Sequence, residues 1–368
     1  MLVLQVIARV NLGGTAKYLF TLSDLLPKIG IKTIIATGYV QGDEIEDSEL
    51  EKFDFIRIKN LGRKINIIKD IKSALDLRKI IIELQPDIIH THTFKAGLLV
   101  RVQKRKLEQY LEKETKFIHT FHGHLFDDPQ FSGSKALLIT FIERYLAKKC
   151  NNIITVGVSV KNDLNQKGIY SKNLTVSIPP TVEPLSLISK KNALNKFNIM
   201  DKNRIRVIWI ARVTGVKNPF KVIRIARALP EFDFYMAGGG DLLDKIKAKA
   251  PENLKVLGWQ DVKEILPIAD IFLSTSENEG IPIAMIEAQL AGIPIVATNV
   301  GSVSEVVINH KTGLLCDKSE RQIVNCIRTL AENKKLRSDF SKNAKFIASK
   351  KFTKSMFIKA HKDIYLKA

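Results

Sequence analysis

The segment Ser276-Glu277-Asn278-Glu279-Gly280-Ile281-Pro282-Ile283-Ala284-Met285-Ile286-Glu287-Ala288 carries two carboxylates, Glu279 and Glu287, eight residues apart. Gly280 and Pro282 open a helix there, so Glu279 precedes it and Glu287 lies a little over two turns further on. An acid inside an apolar helix must be paired or functional, because burying it alone is costly. That spacing lets the two carboxylates address separate parts of one extended ligand. Ala211-Arg212-Val213-Thr214-Gly215-Val216-Lys217-Asn218-Pro219 follows an apolar run and ends where Pro219 starts a helix. Two cations over a helix N-terminus suit a diphosphate; a solvated charge pair is the alternative. Glycines stand after other apolar runs, at Gly13-Gly14, Gly238-Gly239-Gly240 and Gly301, where a backbone can approach a ligand closely. Five of the seven histidines fall in two clusters, His90 and His92, then His119, His122 and His124. Metal binding, a polar rim for a ligand and satisfied structural histidines all fit these spacings, which lack a helical i, i+4 pair and an interleaved carboxylate.

All of these positions fall at the ends of strand-like runs. The runs are Leu2–Ala8, Lys32–Ala36, Asp87–His90, Lys116–Phe121 and Asn152–Val156, then Ile205–Ala211, Asp233–Ala237, Leu254–Leu257, Ile271–Ser274 and Ile293–Thr298. Amphipathic runs alternate with them, including Thr15–Ile29, Ile67–Leu84, Lys135–Cys150, Pro219–Leu229 and Pro282–Leu290. Continuous apolar strands alternating with helices predict parallel sheets covered on both faces, whose ligands bind at the carboxyl ends of the strands. Ile178-Pro179-Pro180-Thr181-Val182-Glu183-Pro184 interrupts the series and reads as a linker. After Lys318 the pattern is helical to the end.

The composition excludes several classes. The 368 residues are 45% hydrophobic and 26% charged, an ordinary globular balance. Cys150, Cys316 and Cys326 form neither a disulfide framework nor a zinc pattern, which fits a reducing compartment. The apolar start is short, lacks a basic lead and a cleavage site, and reads as a buried strand. No run is apolar enough to span a membrane. The charge is +20, from 58 Lys+Arg and 38 Asp+Glu. This invites nucleic acid, an anionic membrane surface or anionic substrates, against the plain reading of a Lys-rich chain. Residues 318–368 hold 14 basic and 4 acidic residues, net +10, and Arg57–Lys79 hold 8 and 2.

Taken together the motifs resemble glycosyltransferase family 4, in its bacterial surface-polysaccharide branch. The E-x7-E block of Glu279 and Glu287, the Arg212 and Lys217 pair and the Gly301 to Glu305 loop occur in the family's order. His90-Thr-His92-Thr-Phe-Lys-Ala-Gly97 and His119-Thr-Phe-His122-Gly123-His124 resemble the same branch. The resemblance covers nearly the whole chain and implies the α/β GT-B fold, two Rossmann-like doubly wound parallel-sheet domains facing a central cleft. It makes residues 1–178 the acceptor-side domain and 179–204 a linker with the start of the second domain. Residues 205–350 become the nucleotide-sugar domain, and 351–368 a C-terminal helix of the kind that crosses back to the first.

The implied reaction is retaining transfer of a sugar from a nucleotide-sugar, UDP-linked ahead of GDP-linked. The acceptor is a hydroxyl of a glycan or lipid-linked molecule in capsule, exopolysaccharide or O-antigen synthesis. Arg212 and Lys217 would stabilise the leaving diphosphate, Glu279 would contact the donor sugar, and His122 would lie beside the transferred sugar. Glu287 would hold the ribose. Ile281 and Ile283 would offer N–H groups to the phosphates, after Gly280 and Pro282. Gly14, Gly238, Gly258 and Gly301 would line the donor, with Leu257–Trp259 flanking the base. No metal and no cofactor are implied. The implied location is the cytoplasm, with the membrane's inner face added if the basic stretches hold the enzyme there. The chain departs from the family at Ile178-Pro-Pro-Thr-Val182, which lacks the usual glycine-bearing hinge turn, and at Lys17, where Glu is common. Another GT-B enzyme, such as a sugar-nucleotide epimerase or a phosphorylase, is the alternative. A nucleic-acid-binding protein rests on charge alone, with aromatics at 7%.

Overall fold

The computed structural model describes residues 1–42, 44–124, 134–171, 174–200 and 204–367. It divides the chain into two compact units, Met1–Thr181 with Lys354–Ala368, and Val182–Thr353.

In the first unit the strands are β1 (Leu2–Ile7), β2 (Lys32–Thr37), β3 (Phe55–Arg57), β4 (Ile88–His92), β5 (Lys116–Phe121), β6 (Asn152–Thr155) and β7 (Leu174–Ser177). They form one seven-stranded sheet in the order β3-β2-β1-β4-β5-β6-β7, with every pairing parallel. Its helices are α1 (Gly14–Leu25), α2 (Ile67–Leu84), α3 (Phe94–Arg101), α4 (Lys104–Leu107), α5 (Ser134–Ala147) and α6 (Val158–Gln166). Asn66 caps α2, its side chain accepting from the Lys69 N–H at 3.0 Å, which supplies one of the orphan donors of a helix start. Leu77 and Ile81 of α2 join Leu99 and Val100 of α3 against Leu4, Val6, Ile89 and Phe117 of the sheet. Leu19 and Phe20 of α1 pack on the opposite face, against Ile7 and Ile35.

The second unit begins with α7 (Lys190–Lys196), followed by β8 (Arg206–Ile210), α8 (Pro219–Ala228), β9 (Asp233–Ala237), α9 (Leu243–Lys247), β10 (Leu254–Gly258) and α10 (Val262–Ile265). It continues with β11 (Ile271–Ser274), α11 (Ile283–Leu290), β12 (Ile295–Thr298), α12 (Val303–Val306), β13 (Gly313–Cys316), α13 (Glu320–Glu332) and α14 (Lys334–Lys351). Six strands pair in the order β10-β9-β8-β11-β12-β13, again all parallel. Both orders reverse direction once, between β1 and β4 and between β8 and β11. Such switch points open a crevice beyond the carboxyl ends of the strands.

The prolines at 179 and 180 adjoin the division between the units. The stretch expected as linker is not bare, because Ser189 caps α7 by accepting from the Asn192 N–H at 3.2 Å; its residues 201–203 lie outside the described residues. The last helix, α15 (Lys354–Lys367), belongs to the first unit. The basic stretch after Lys318 is therefore shared between the units and is not one tail. Three short strands escape the sequence pattern. They are β3, β7 and β13, all edge strands of three or four residues, too short for a period to show.

One ion pair lies in the interior of the first unit. Arg101 of α3 and Glu143 of α5 meet through two bonds of 2.8 and 2.9 Å, with 1% and 0% of their side chains exposed. Removing one partner strands the other charge away from water, at a cost of about 3–5 kcal/mol. Glu143→Ala is expected to lower the first unit's unfolding free energy by that amount in a denaturant titration.

Candidate active site

The carboxyl end of β8 is shaped by backbone packing against the turn after β9. Gly238 has φ +139°, and a Cβ there would stand 1.9 Å from the Ala211 carbonyl oxygen. Only glycine fits, and the two loops join through the Val213 N–H donating to Gly239 O at 2.9 Å. The chain then makes one 3-10 turn over Gly215–Lys217 and enters α8 through Asn218, whose φ of 48° is left-handed. That turn aims Lys217 at the end of β11.

There Lys217 Nζ lies 2.5 Å from Glu279 Oε1, and Ser276 Oγ donates to the same oxygen at 2.7 Å. The Glu279 carbonyl accepts from the Ser302 N–H at 3.1 Å. Glu279 is 9% exposed and Glu287 4%. The same loop is tied at its root, where Thr275 Oγ1 bonds the carbonyls of Lys217 and Asn218 at 2.9 and 3.1 Å. Thr298 Oγ1 donates to Ser276 O at 2.6 Å. Loops after β8, β11 and β12 are thus fixed to one another around the Glu279 carboxylate.

A second carboxylate, Glu277, braces the site from outside. It accepts from Asn218 Nδ2 at 2.7 Å and pairs with Lys221 at 3.1 Å and Lys318 at 2.9 Å. Partial burial works to raise its pKa, but the bonds from Lys318, Asn218 and Lys221 outweigh this and bring it down to about 2. The sequence reading did not assign Ser276, Glu277, Asn218 or Lys221 to the site. Only the crowding of acids between Ser276 and Glu279 marked the place, since the partners of Glu277 lie 41 to 59 residues away.

Beyond Glu279, Gly280 to Pro282 lead into α11, whose start has no side-chain cap. Its first N–H groups therefore lack helical partners and face the crevice end of the sheet. Gly301, with φ 51°, turns the chain after β12. On the other side, Gly258 ends β10 and accepts from the Gly238 N–H at 2.7 Å. Trp259 stays 42% exposed beside Gly239, where a Cβ would come within 2.3 Å of the indole nitrogen. In the second unit Arg212, Lys217, Gly238, Gly258, Glu279, Gly280, Ile281, Pro282 and Gly301 therefore stand at or just beyond the carboxyl ends of β8 to β12, with Ile283 opening α11 and Glu287 one turn inside it. This arrangement can hold an elongated anion with polar groups at both ends.

The histidines divide by role. His90 is fully buried between Tyr365 OH and Thr120 Oγ1, each at 2.7 Å from a ring nitrogen. His119 bonds Thr91 Oγ1 at 2.8 Å. These two are satisfied structural groups, and His124 is held between Asp163 Oδ2 and Ser159 Oγ, each 3.5 Å from a ring nitrogen. His92 and His122 meet at 3.0 Å, Nδ1 to Nε2, and His92 Nε2 has no partner among the described residues. His122, only partly buried, follows β5, and Gly14 opens α1 after β1, on either side of β4. Among the described residues no three His, Cys, Asp or Glu side chains are placed to hold a metal ion. His361 of α15 bonds Tyr18 OH at 3.1 Å, so this network also anchors the last helix.

Residues 12–184 match the family model Glycosyltransferase Family 4, and residues 190–346 match Glycosyl transferases group 1. The UDP-Gal:alpha-D-GlcNAc-diphosphoundecaprenol alpha-1,3-galactosyltransferase of Escherichia coli is 27% identical over 88% of this chain and 85% of its own. The O-antigen biosynthesis glycosyltransferase WbnH of Escherichia coli is 24% identical over 72% of this chain and 75% of its own. Among solved structures, HepE of Anabaena in complex with UDP and glucose superposes with a TM-score of 0.82, at 17% identity over 99% of each chain.

Burial pushes His90, His92 and His119 well below the ordinary histidine value of 6.5, helped at His119 by the Arg101 guanidinium and at all three by the other histidines packed beside them. It brings His122 down to about 3 and His361 to about 4. The native unit keeps these rings neutral while an unfolded chain protonates them near pH 6.5. Stability is therefore full above that value and is lost as pH falls toward 4. Each ring contributes up to about 1.4 kcal/mol per pH unit. The first unit's denaturation midpoint should fall steeply between pH 6.5 and 4, and His361→Gln should flatten the fall. A midpoint level over that range would contradict the assignment.

Proposed function

The chain belongs to glycosyltransferase family 4 and is a glycosyltransferase of the GT-B fold; from that premise we propose the reaction it performs. It moves a sugar, with retention of anomeric configuration and without a metal, from a UDP-sugar to an acceptor hydroxyl. The acceptor is a lipid-linked glycan of bacterial surface polysaccharide synthesis, by likeness to the relative whose name gives a diphosphoundecaprenol acceptor. The observation that carries the reading is the joining of Lys217, Glu279 and the uncapped start of α11 at the β8–β11 switch point.

The hard step is departure of the nucleoside diphosphate from an oxocarbenium-like centre. Lys217 and Arg212, with the N–H groups of Ile281 and Ile283, take up the charge that develops on the diphosphate. Before donor binds, Lys217 is held by Glu279; the diphosphate replaces that partner, and Glu279 turns its oxygens to the sugar hydroxyls. Glu287 takes the ribose hydroxyls, and Trp259 offers an aromatic face to the base. On the first unit the same reading keeps for His122 a contact with the transferred sugar. It makes that contact as a neutral imidazole, since burial holds its pKa near 3.

Acceptor-dependent release of nucleoside diphosphate tests the reading and separates transfer from epimerisation or phosphorolysis. Lys217→Ala is expected to lower turnover at least ~100-fold, the scale of losing one preorganised charge-stabilising donor. Near-normal turnover in a folded Lys217→Ala protein would remove Lys217 from the chemistry.

A further inference from the structure

Two helices of the first unit are apolar on the side that faces water. In α2, Ile67, Ile68 and Ile71 are 57–75% exposed, while Ser73, Leu77 and Ile81 are buried. In α5, Leu137, Leu138 and Phe141 are 60–75% exposed, with Tyr145 one turn further on at 56%. The spacing i, i+1, i+4 places each set on one outward stripe. A surface helix ordinarily keeps polar residues there.

The two stripes share one side and one edge of the unit. Strands β3, β4 and β5 each lead rightward across the sheet to their next strand, and right-handed crossovers put α2, α3 and α5 on the same face. Helix α2 packs on α3, and Arg101 of α3 pairs with Glu143 of α5. Helix α3 therefore lies between them. Each outer helix starts at the carboxyl edge of the sheet, and the exposed residues sit in its first turns. The charge around them is positive. Arg63, Lys64, Lys69 and Lys72 are exposed about the first stripe, and Lys135, Arg144 and Lys148 about the second. Of the acids on these helices, Asp70 is paired with Lys95 at 2.5 Å and Glu143 with Arg101, while Asp76 of α2 is exposed, so cations outnumber free acids around the stripes.

We infer that this face is a membrane-docking surface, in which the stripes of α2 and α5 enter the interface of an anionic bilayer and the flanking lysines and arginines meet its headgroups. Apolar knobs ringed by cations suit a fluid apolar layer beneath negative charge. A second copy of this chain would bring the same cations against themselves. The inference gives the lipid-linked acceptor of the proposed reaction a place to be met and so rests on that reading for its purpose, but its test reads binding and not turnover.

The test is sedimentation of the full chain with vesicles of phosphatidylcholine containing about a third phosphatidylglycerol, against phosphatidylcholine alone. The variant Ile68→Ser, Ile71→Ser, Leu137→Ser, Phe141→Ser changes exposed positions only, and its unfolding temperature should match the parent. The parent is expected to partition onto the anionic vesicles and only weakly onto the neutral ones. The variant should lose at least ~10-fold in partition coefficient. A parent that stays in the supernatant, a variant that binds as well as the parent, or a parent that dimerises through this face without lipid would each overturn the inference. Vesicle binding intact beside absent acceptor-dependent transfer would strike the catalytic reading alone.

Discussion

A carboxylate cannot remain ionised away from water without a partner, and the second unit is organised around meeting that demand at Glu279. Lys217 and Ser276 hold one of its oxygens, and its own backbone carbonyl is taken by Ser302. For Lys217 to reach it, the chain after β8 must turn at once, which the 3-10 turn over Gly215–Lys217 accomplishes before the left-handed Asn218 opens α8. Glu277 then locks that asparagine to Lys221 and Lys318 from outside. Without the ion pair the loops after β8, β11 and β12 would still be joined by the bonds of Thr275, Thr298 and the Ser302 N–H. In the proposed reaction the same pair gives way to an incoming anion, because a diphosphate offers Lys217 more charge than one carboxylate does.

The first unit solves a different problem with neutral groups. Its histidines are bonded to hydroxyls, to a carbonyl and to one another, not to carboxylates, apart from His124. Burial keeps His90, His92, His119, His122 and His361 uncharged, so they carry hydrogen-bonding capacity without fixed charge. The network also takes in Tyr365 and His361, so α15 is bound to the unit by polar as well as apolar contacts, including Phe357 stacked edge-on to Tyr18 at 4.9 Å.

The fold was legible because buried parallel strands are continuous apolar runs; β5, β9 and β11 occur with the expected bounds. The edge strands β3, β7 and β13 were not, since three or four residues carry no period. Within the candidate site, Arg212, Lys217 and Glu279 follow strands β8 and β11 where the sequence pattern put them, and Glu287 lies inside α11. Glu277 and Ser276 were not legible, because their role depends on partners brought in from β8 and α8 by the sheet order. The histidine clusters misled in part. Three of the five are structural, a distinction set by whether Tyr365, Thr120, Thr91 or Asp163 lies opposite, which spacing does not encode. The outward apolar stripes were hidden for a similar reason: in α2 and α5 both faces are apolar, and only packing shows which one is covered.

The account turns on a diphosphate site at Lys217 and Arg212. Titration calorimetry of UDP and of uridine, against the parent protein and an Arg212→Ala, Lys217→Ala double variant, addresses that claim directly. The account predicts that UDP binds the parent much more tightly than uridine does and that the double variant loses at least ~10-fold for UDP while uridine is little changed. Equal affinity of the parent for UDP and uridine, or undiminished UDP binding by the double variant, would contradict it.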